Sequence, residues 1–244
     1  MSITATLATA GRVLQQLRRD RRTLAMIFLV APALLALFKA IFDNEPHTFD
    51  RIGAPMIGLF PLIMMFLITS IAMLRERTTG TLERLMSLPI AKLDLLLGYA
   101  LAFALLAAIQ GGVTGAVGFG GLGVKAVGPA WAVVLLAIVN ALLGMALGLF
   151  FSAFARTEFQ AVQFLPAVLF PQILLGGLLV PRAQMPHVLQ VVSDALPVSY
   201  AYDALAKITA DNTGSWLWFD ILIVVGTIGI ALVLGATTLR RRTA

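Results

Sequence analysis

No cysteine occurs among the 244 residues, so disulfide staples and thiolate metal sites are excluded. Charge is scarce as well. Asp, Glu, Lys and Arg together make up 12% of the chain, half of the roughly 25% usual in soluble domains. Motifs of self-sufficient chemistry are missing: there is no phosphate-cradling P-loop, no Gly-x-Ser-x-Gly elbow and no His-Glu-x-x-His zinc motif. The chain is therefore expected to have no catalytic site, to bind no cofactor of its own, and to lack the means to hydrolyse ATP by a P-loop. Ionisable groups are also missing from the middle of the apolar runs, and both histidines, His47 and His187, fall outside them. A proton-coupled carrier ordinarily keeps Asp, Glu or His at depth as a relay. Energy for any transport is thus expected to come from elsewhere.

What the chain has is apolar length. Hydrophobic residues make up 59% of it and mean hydropathy is +0.93. The runs are continuous over about 20 residues, enough to cross a bilayer as helix, and they do not alternate as β-barrel strands do. The expected fold is an all-α polytopic membrane protein, a single transmembrane domain with six spans at 23–42, 55–74, 93–117, 131–154, 159–180 and 216–239. An even number of spans puts both termini on one side. The segments on that side hold thirteen Lys and Arg and the opposite segments five, which places both termini in the cytoplasm. The net charge of +6 is then explained by loop orientation, and nucleic acid is not expected as a partner.

Three segments outside the spans carry patterns of their own. Residues 1–22 read as an interfacial helix: Ile3, Leu7, Ala10, Leu14 and Leu17 lie along one line, with Arg12, Gln16 and Arg19 opposite and directed at lipid headgroups. A cleaved signal peptide is the competing reading, but no convincing small-residue cleavage site follows the apolar run. Residues 75–94 form a polar island with four basic and three acidic residues. Within it Gly80 can cap a helix, Glu83 suits the positive end of its dipole, and Leu82, Leu85 and Met86 share a face before Pro89 stops the run. So short a helix is not stable alone and must pack on a partner, on the bilayer or on the underside of the bundle. Residues 181–215 follow the fifth span. Met185, Leu189, Val192 and Leu196 recur at helical spacing, Pro197 breaks the run, and 198–208 read as a second short helix with Tyr200, Ala204 and Leu205. Two helices that cap or re-enter the outer half of the bundle are expected.

Inside the spans the polar residues are uncharged. Gln110, Thr114, Asn140, Gln163 and Gln172 either bond between helices or line a substrate path. Gly111/Gly115 and Gly144/Gly148 are small-xxx-small pairs that allow close helix approach. Pro166 and Pro171 remove helix hydrogen bonds in the fifth span and invite kinks. Lys39 and Asp220 sit near span ends, where a charge can reach the interface.

The island pattern Glu76-x-x-x-Gly80-Thr81-Leu82-Glu83-x-Leu85-x-x-x-Pro89 resembles the segment after the second span in permease subunits of the ABC type-2 exporter family, of the drug-resistance-exporter kind. A second stretch resembles that family's outer hairpin: Gly176-Gly177 to Pro181, then Met185-Pro186, then Ser193 to Leu205 through Pro197, Tyr200 and Asp203. Leu196-Pro197 stands where Asn-Pro is usual, and Lys207 where Arg is frequent. The resemblance implies a permease moving an amphiphilic drug, lipid or glycolipid-like cargo out through a bacterial inner membrane. It implies two copies of a cytoplasmic P-loop ATPase that bind ATP and Mg, a second permease, identical or homologous, and contact with membrane lipids. Residues 78–89 would be the coupling helix, with Glu76, Gly80, Thr81, Leu82, Glu83, Leu85, Met86 and Pro89 in ATPase coupling. Residues 1–22 would be an elbow helix, and Pro181, Pro186, Pro197, Tyr200 and Asp203 would shape the exit cap. Gln110, Asn140, Gln163 and Gln172 are the candidates for the substrate path. A secondary multidrug carrier and a non-transport scaffold subunit are the alternative readings.

Overall fold

A computed structural model describes residues 2–87, 90–125, 128–178, 180–209 and 215–238. They form helices, with no strand among the described residues, and six helices are long and apolar enough to cross a membrane. This is an all-α polytopic membrane protein. The order is α1 (Ile3–Arg19), α2 (Arg21–Ile41), α3 (Pro46–Thr78), α4 (Thr81–Met86), α5 (Lys92–Ala116, running on as a π-helical turn over Val117–Gly121), α6 (Ala130–Phe151), α7 (Glu158–Phe164), a π-helical stretch Leu165–Leu169, α8 (Phe170–Leu175), α9 (His187–Asp194), α10 (Pro197–Thr209) and α11 (Ser215–Thr237).

The centre is α3 against α6, with α5 beside them; α2, α7–α8 and α11 are mostly exposed flanks. Glycine makes the centre possible. Gly144 and Gly148 of α6 lie on the backbone of α3 at Leu62 and Phe66, and Gly111 and Gly115 of α5 lie against Ile138 and Val134 of α6. Both small-xxx-small pairs therefore sit at helix crossings, one on each side of α6. With no side chain at those points the backbones close up, and the dispersion gained along the seam stands in for the hydrophobic drive that lipid does not supply.

Helix ends follow local chemistry more than hydropathy. Ser2 caps the start of α1, its Oγ accepting from Ala5 N at 3.4 Å, and Asp20 defines the α1–α2 corner, accepting from Thr23 N at 3.1 Å and Thr23 Oγ1 at 2.6 Å. The α3 helix starts at Pro46 and continues through Arg75-Glu76-Arg77 to Thr78, beyond both ends of the expected span 55–74. Arg and Glu are good helix formers, so nothing interrupts it until Gly80, whose φ of +72° is left-handed and suits glycine. Its 33 residues rise about 50 Å at ~1.5 Å each. In the fifth span the backbone widens to π geometry over Leu165–Leu169, around Pro166, and helix ends at Leu175. Pro89 and the terminal Arg240–Arg242 lie outside the described residues.

Candidate functional site

The end of the bundle that holds α1 and α4 is knotted together by the last turn of α3. Consecutive helical residues point about 100° apart, and three consecutive charges use this to reach three neighbours. Arg75 holds Glu158 of α7 through two hydrogen bonds of 2.6 and 3.1 Å. Glu76 meets Arg12 of α1 at 3.4 Å. Arg77 donates to Thr238 Oγ1, just past α11, at 3.2 Å. Ser2 N donates to the buried Asp94 Oδ2 at 2.8 Å, which fastens the start of α1 to the first turn of α5.

The structure corrects one expectation about α1. Arg12 does not face headgroups. Its guanidinium donates to the Tyr99 hydroxyl, stacks 5.6 Å from the Tyr99 ring centre and pairs with Glu76. The reason is the small-residue seat of α1: Gly98 of α5 accepts Thr9 and the Thr6 carbonyl, which buries Thr9, Ala10, Val13 and Leu17 and leaves Ile3 and Leu7 exposed. That rotation carries Arg12 over Tyr99.

A second outcome concerns α4. Leu82 and Met86, expected on the face that packs outside the helix, are 3% and 8% exposed and belong to this chain's own core. Leu85 is half-buried against the same core. The aliphatic face thus closes on the bundle, and the polar edge is left outside: Thr79, Glu83, Arg84 and Ser87 are exposed. Thr81, beside Gly80, shares a hydrogen bond of 3.0 Å with Thr79.

Between α1, α2, α3 and α5, against the base of α4, lies a cavity of about 510 Å³. Its upper wall is apolar, and its lower rim carries Gln16, Asp20, Thr23, Arg75, Glu76 and Thr81. Hydrogen bonds from the Thr23 hydroxyl and amide hold the Asp20 carboxyl below the usual carboxylate range.

The polar residues at depth do not share one environment. Gln110, Asn140 and Gln172 are buried, whereas Gln163 is exposed on α7. Both side-chain polar atoms of Gln110 and of Asn140 lack hydrogen-bond partners among the described residues. Asn140 packs where α6 faces Gly58 of α3, close to Leu205 of α10. Gln172 Nε2 donates to Val168 O at 3.0 Å. None of the four lines the 510 Å³ cavity.

At the opposite end, α9 and α10 are held by Arg182, which the sequence did not single out. It pairs with Asp194 and Asp203 and stacks 5.6 Å from the Tyr200 ring centre. Tyr200 donates in turn to Asp194 O at 2.7 Å, and Ser193 Oγ to Leu175 O at 2.8 Å. Pro181 precedes the short turn Arg182–Gln184, Pro186 precedes α9 and Pro197 opens α10. Burial raises the Asp203 carboxyl above its ordinary range, and Arg182 offsets this only in part. The apolar residues of α9 are exposed, whereas α10 is inserted among α3, α6 and α11 with Val198, Ala201, Ala204, Leu205 and Ile208 buried. Asp220, expected near the outer end of the last span, is buried and paired with Lys207 of α10. Pairs 12 to 21 residues apart leave no periodic signal, so sequence alone could not join them.

A family model described as ABC-2 type transporter matches residues 4–209. ABC transporter G family member 20 of Dictyostelium discoideum is 28% identical over 200 residues, covering 76% of this chain and 27% of that protein. The probable multidrug ABC transporter permease YbhR of Escherichia coli K12 is 25% identical over 181 residues, covering 72% of this chain and 49% of the relative. The chain thus spans half or less of the length of these curated relatives.

Proposed function

The chain belongs to the ABC-2 type transporter family, and from that membership we propose that it is the membrane-spanning permease subunit of an ATP-driven exporter. The cargo is an amphiphilic drug, lipid or glycolipid-like molecule leaving the cytoplasm. ATP and its Mg belong to a separate P-loop ATPase, present in two copies beside a second permease, identical or homologous. The setting is a bacterial inner membrane with both termini in the cytoplasm, a reading supported by the excess of thirteen Lys and Arg over five.

One observation carries the proposal. The six-residue α4 hangs at the end of the continuous α3, with Leu82 and Met86 anchored in the core and Glu83, Arg84 and Ser87 outside. A helix so placed passes a push on its outer edge to α3, and through Arg75, Glu76 and Arg77 to α7, α1 and the end of α11. The coupling surface in this reading is the polar edge of Gly80 to Ser87, while Leu82, Leu85 and Met86 fix its stance. The hairpin α9–α10, locked by Arg182, is the exit cap.

The test is affinity purification of the full chain from native membranes, then reconstitution with the ATPase that comes with it. Glu83→Lys should lower cargo-dependent ATP hydrolysis by tenfold or more without changing membrane insertion. Full coupling in that variant, or cargo movement by the chain alone down a proton gradient in liposomes, would refute the subunit reading.

A further inference from the structure

The corner between α1 and α2 carries a charge that the chain itself does not neutralise. Arg18, Arg19, Arg21 and Arg22 are all exposed, and none of their side chains has a partner among the described residues. Asp20 stands between them, but its carboxylate accepts from the amide and the hydroxyl of Thr23. Glu76 and Glu158 are paired with Arg12 and Arg75. Four guanidiniums within five residues repel one another, and the single carboxylate among them leaves three positive charges in excess.

The roll of α1 decides what these charges face. Gly98 seats Thr9, and Arg12 is held by Tyr99 and Glu76, which turns Ile3 and Leu7 outward, 77% and 55% exposed. At about 100° per residue, Ile3, Leu7, Leu14 and Arg18 fall within about 60° of one another, so Arg18 ends the exposed apolar line of α1. On α2 the order is reversed. Arg22 lies one turn before Met26, which is 59% exposed, and Leu29 continues the line. This helix is a membrane span that starts at Arg21, which sets the corner at the level of the lipid headgroups. A hollow of about 400 Å³ is lined there by Gln15, Arg18, Arg19 and Arg21. Chain orientation requires only that basic residues lie on one side of the membrane; it does not require three of them to gather with an amide around one hollow. Guanidinium donates in pairs to phosphate oxygens, and the exposed apolar side chains beside the hollow suit acyl chains.

We propose that the α1–α2 corner binds one anionic phospholipid, its phosphate held in the hollow by Arg18, Arg19 and Arg21 with Gln15, and its acyl chains laid against Met26 and Leu29 of α2. The lipid ties the corner to the bilayer and sets the depth of α1. Binding belongs to this chain alone. Only the assignment to the inner leaflet rests on the orientation proposed above.

The full chain is purified in a neutral detergent, and bound lipid is counted by native mass spectrometry without any ATPase. Dioleoylphosphatidylglycerol is compared with dioleoylphosphatidylcholine, which has the same chains and a headgroup of no net charge, and with glycerophosphoglycerol, the anionic headgroup without chains. Phosphatidylglycerol should saturate at one tight site per chain and bind at least tenfold more tightly than either comparator. Arg18→Gln and Arg21→Gln should each weaken it fivefold or more and leave phosphatidylcholine binding unchanged. Arg156→Gln, which removes an equally exposed charge from the turn before α7, should change it less than twofold. Equal binding of phosphatidylcholine would overturn the site. So would equal binding of the chainless headgroup, which marks a soluble phosphate as the ligand, or an equal loss in Arg156→Gln, which marks unspecific surface charge. The lipid series is read on the unaltered chain, so it decides the matter even where a variant is poorly folded. Failed lipid binding leaves the exporter reading standing, and failed coupling with intact lipid binding does the reverse.

Discussion

The backbone-on-backbone packing of α3 and α6 yields the sharpest prediction. A methyl group at Gly144 would stand 2.8 Å from the carbonyl carbon of Leu62 and 3.0 Å from its Cα, and nearer still to its oxygen. Carbon atoms rest at about 3.5–4.0 Å, and a gap of ~0.5–1 Å already forfeits a quarter to a half of each contact. The opposing atoms are backbone, so no rotamer change relieves the clash; α3 and α6 must part along their seam. Overpacking of this kind costs about 1–3 kcal/mol. Gly112, on the same scaffold, has nothing within 4 Å of such a methyl, and there alanine should gain about 0.8–1 kcal/mol in helix propensity. At roughly 2–4 °C per kcal/mol for a chain of this size, Gly144→Ala should melt several degrees below the unaltered protein and Gly112→Ala a few degrees above. Tryptophan fluorescence on heating in mild detergent, with elution profiles to confirm dispersity, measures both. A Gly144→Ala transition at or above that of Gly112→Ala would refute the close α3–α6 seam.

Two carboxylates should answer pH with opposite signs. Hydrogen bonds lower the Asp20 carboxyl in the folded chain, so its contribution to stability is present above the unfolded value and lost as pH falls through the folded one; Asp20→Asn, which keeps a capping oxygen, should blunt that acid-side loss in thermal melts. Burial raises the Asp203 carboxyl, so its contribution is full below the unfolded value and lost as pH rises through the folded one; melts of Asp203→Asn should remove that decline. Asn140→Leu replaces two buried, unpartnered polar atoms and should raise stability by about 1 kcal/mol, while reconstituted transport falls if the amide serves cargo. Leu82→Asp should bury a carboxylate in the core and reduce the folded yield on gel filtration, whereas Glu83→Lys leaves yield unchanged. Exchanging the exposed pair, Arg75→Glu with Glu158→Arg, should move the melting transition by no more than about 1 kcal/mol.

The spans were legible because bilayer thickness imposes a length on apolar helix, and six such runs leave little choice. Their ends were less so. Hydropathy marks Leu74 as the edge of the second span, yet Arg75, Glu76 and Arg77 continue as helix, because helix propensity does not fall where polarity rises. For the candidate site the sequence named the right segment and not its stance. Periodicity places Leu82, Leu85 and Met86 on one face of α4 but carries no information on what that face meets, and it meets the bundle. On α1 the wheel put Arg12 opposite the leucines, and the turn of the helix was decided by Gly98, almost ninety residues away. Arg182 was invisible for the same reason: Asp194 and Asp203 become its partners only once α9 and α10 fold back. Glycine pairs were legible as a pattern, and they acquired weight only when both were found at helix crossings.

The distribution of order fixes where a displacement at α4 can go. The seam of α3 with α6 is the stiffest part, since Gly144 lies on the backbone of Leu62 and Gly148 on that of Phe66 beside Thr69, whose hydroxyl donates across to Met145 O. The face of α1 is similarly committed, by Gly98 on one side and the Arg12–Glu76–Tyr99 cluster on the other. What remains is the fifth span. It meets α3 through Arg75 and Glu158, both more than half exposed, a pair weak enough to remake at little cost, and through a small apolar cluster of Ile71 and Leu74 with Ala161 and Phe164. Beyond that tie its hydrogen-bond ladder changes to π geometry at Leu165–Leu169, around Pro166, and its helix ends at Leu175 before Gly177, whose φ is +101°. Ser193 then bonds the carbonyl of Leu175, so α9 is tied to the end of this broken helix. Force entering at α4 would therefore move α1, α3, α5 and α6 as a block, and strain would collect in α7–α8, the one described span whose backbone departs from α geometry at mid-length. Through that bond α9, the exposed half of the hairpin, follows the end of the fifth span, while α10 stays packed among α3, α6 and α11.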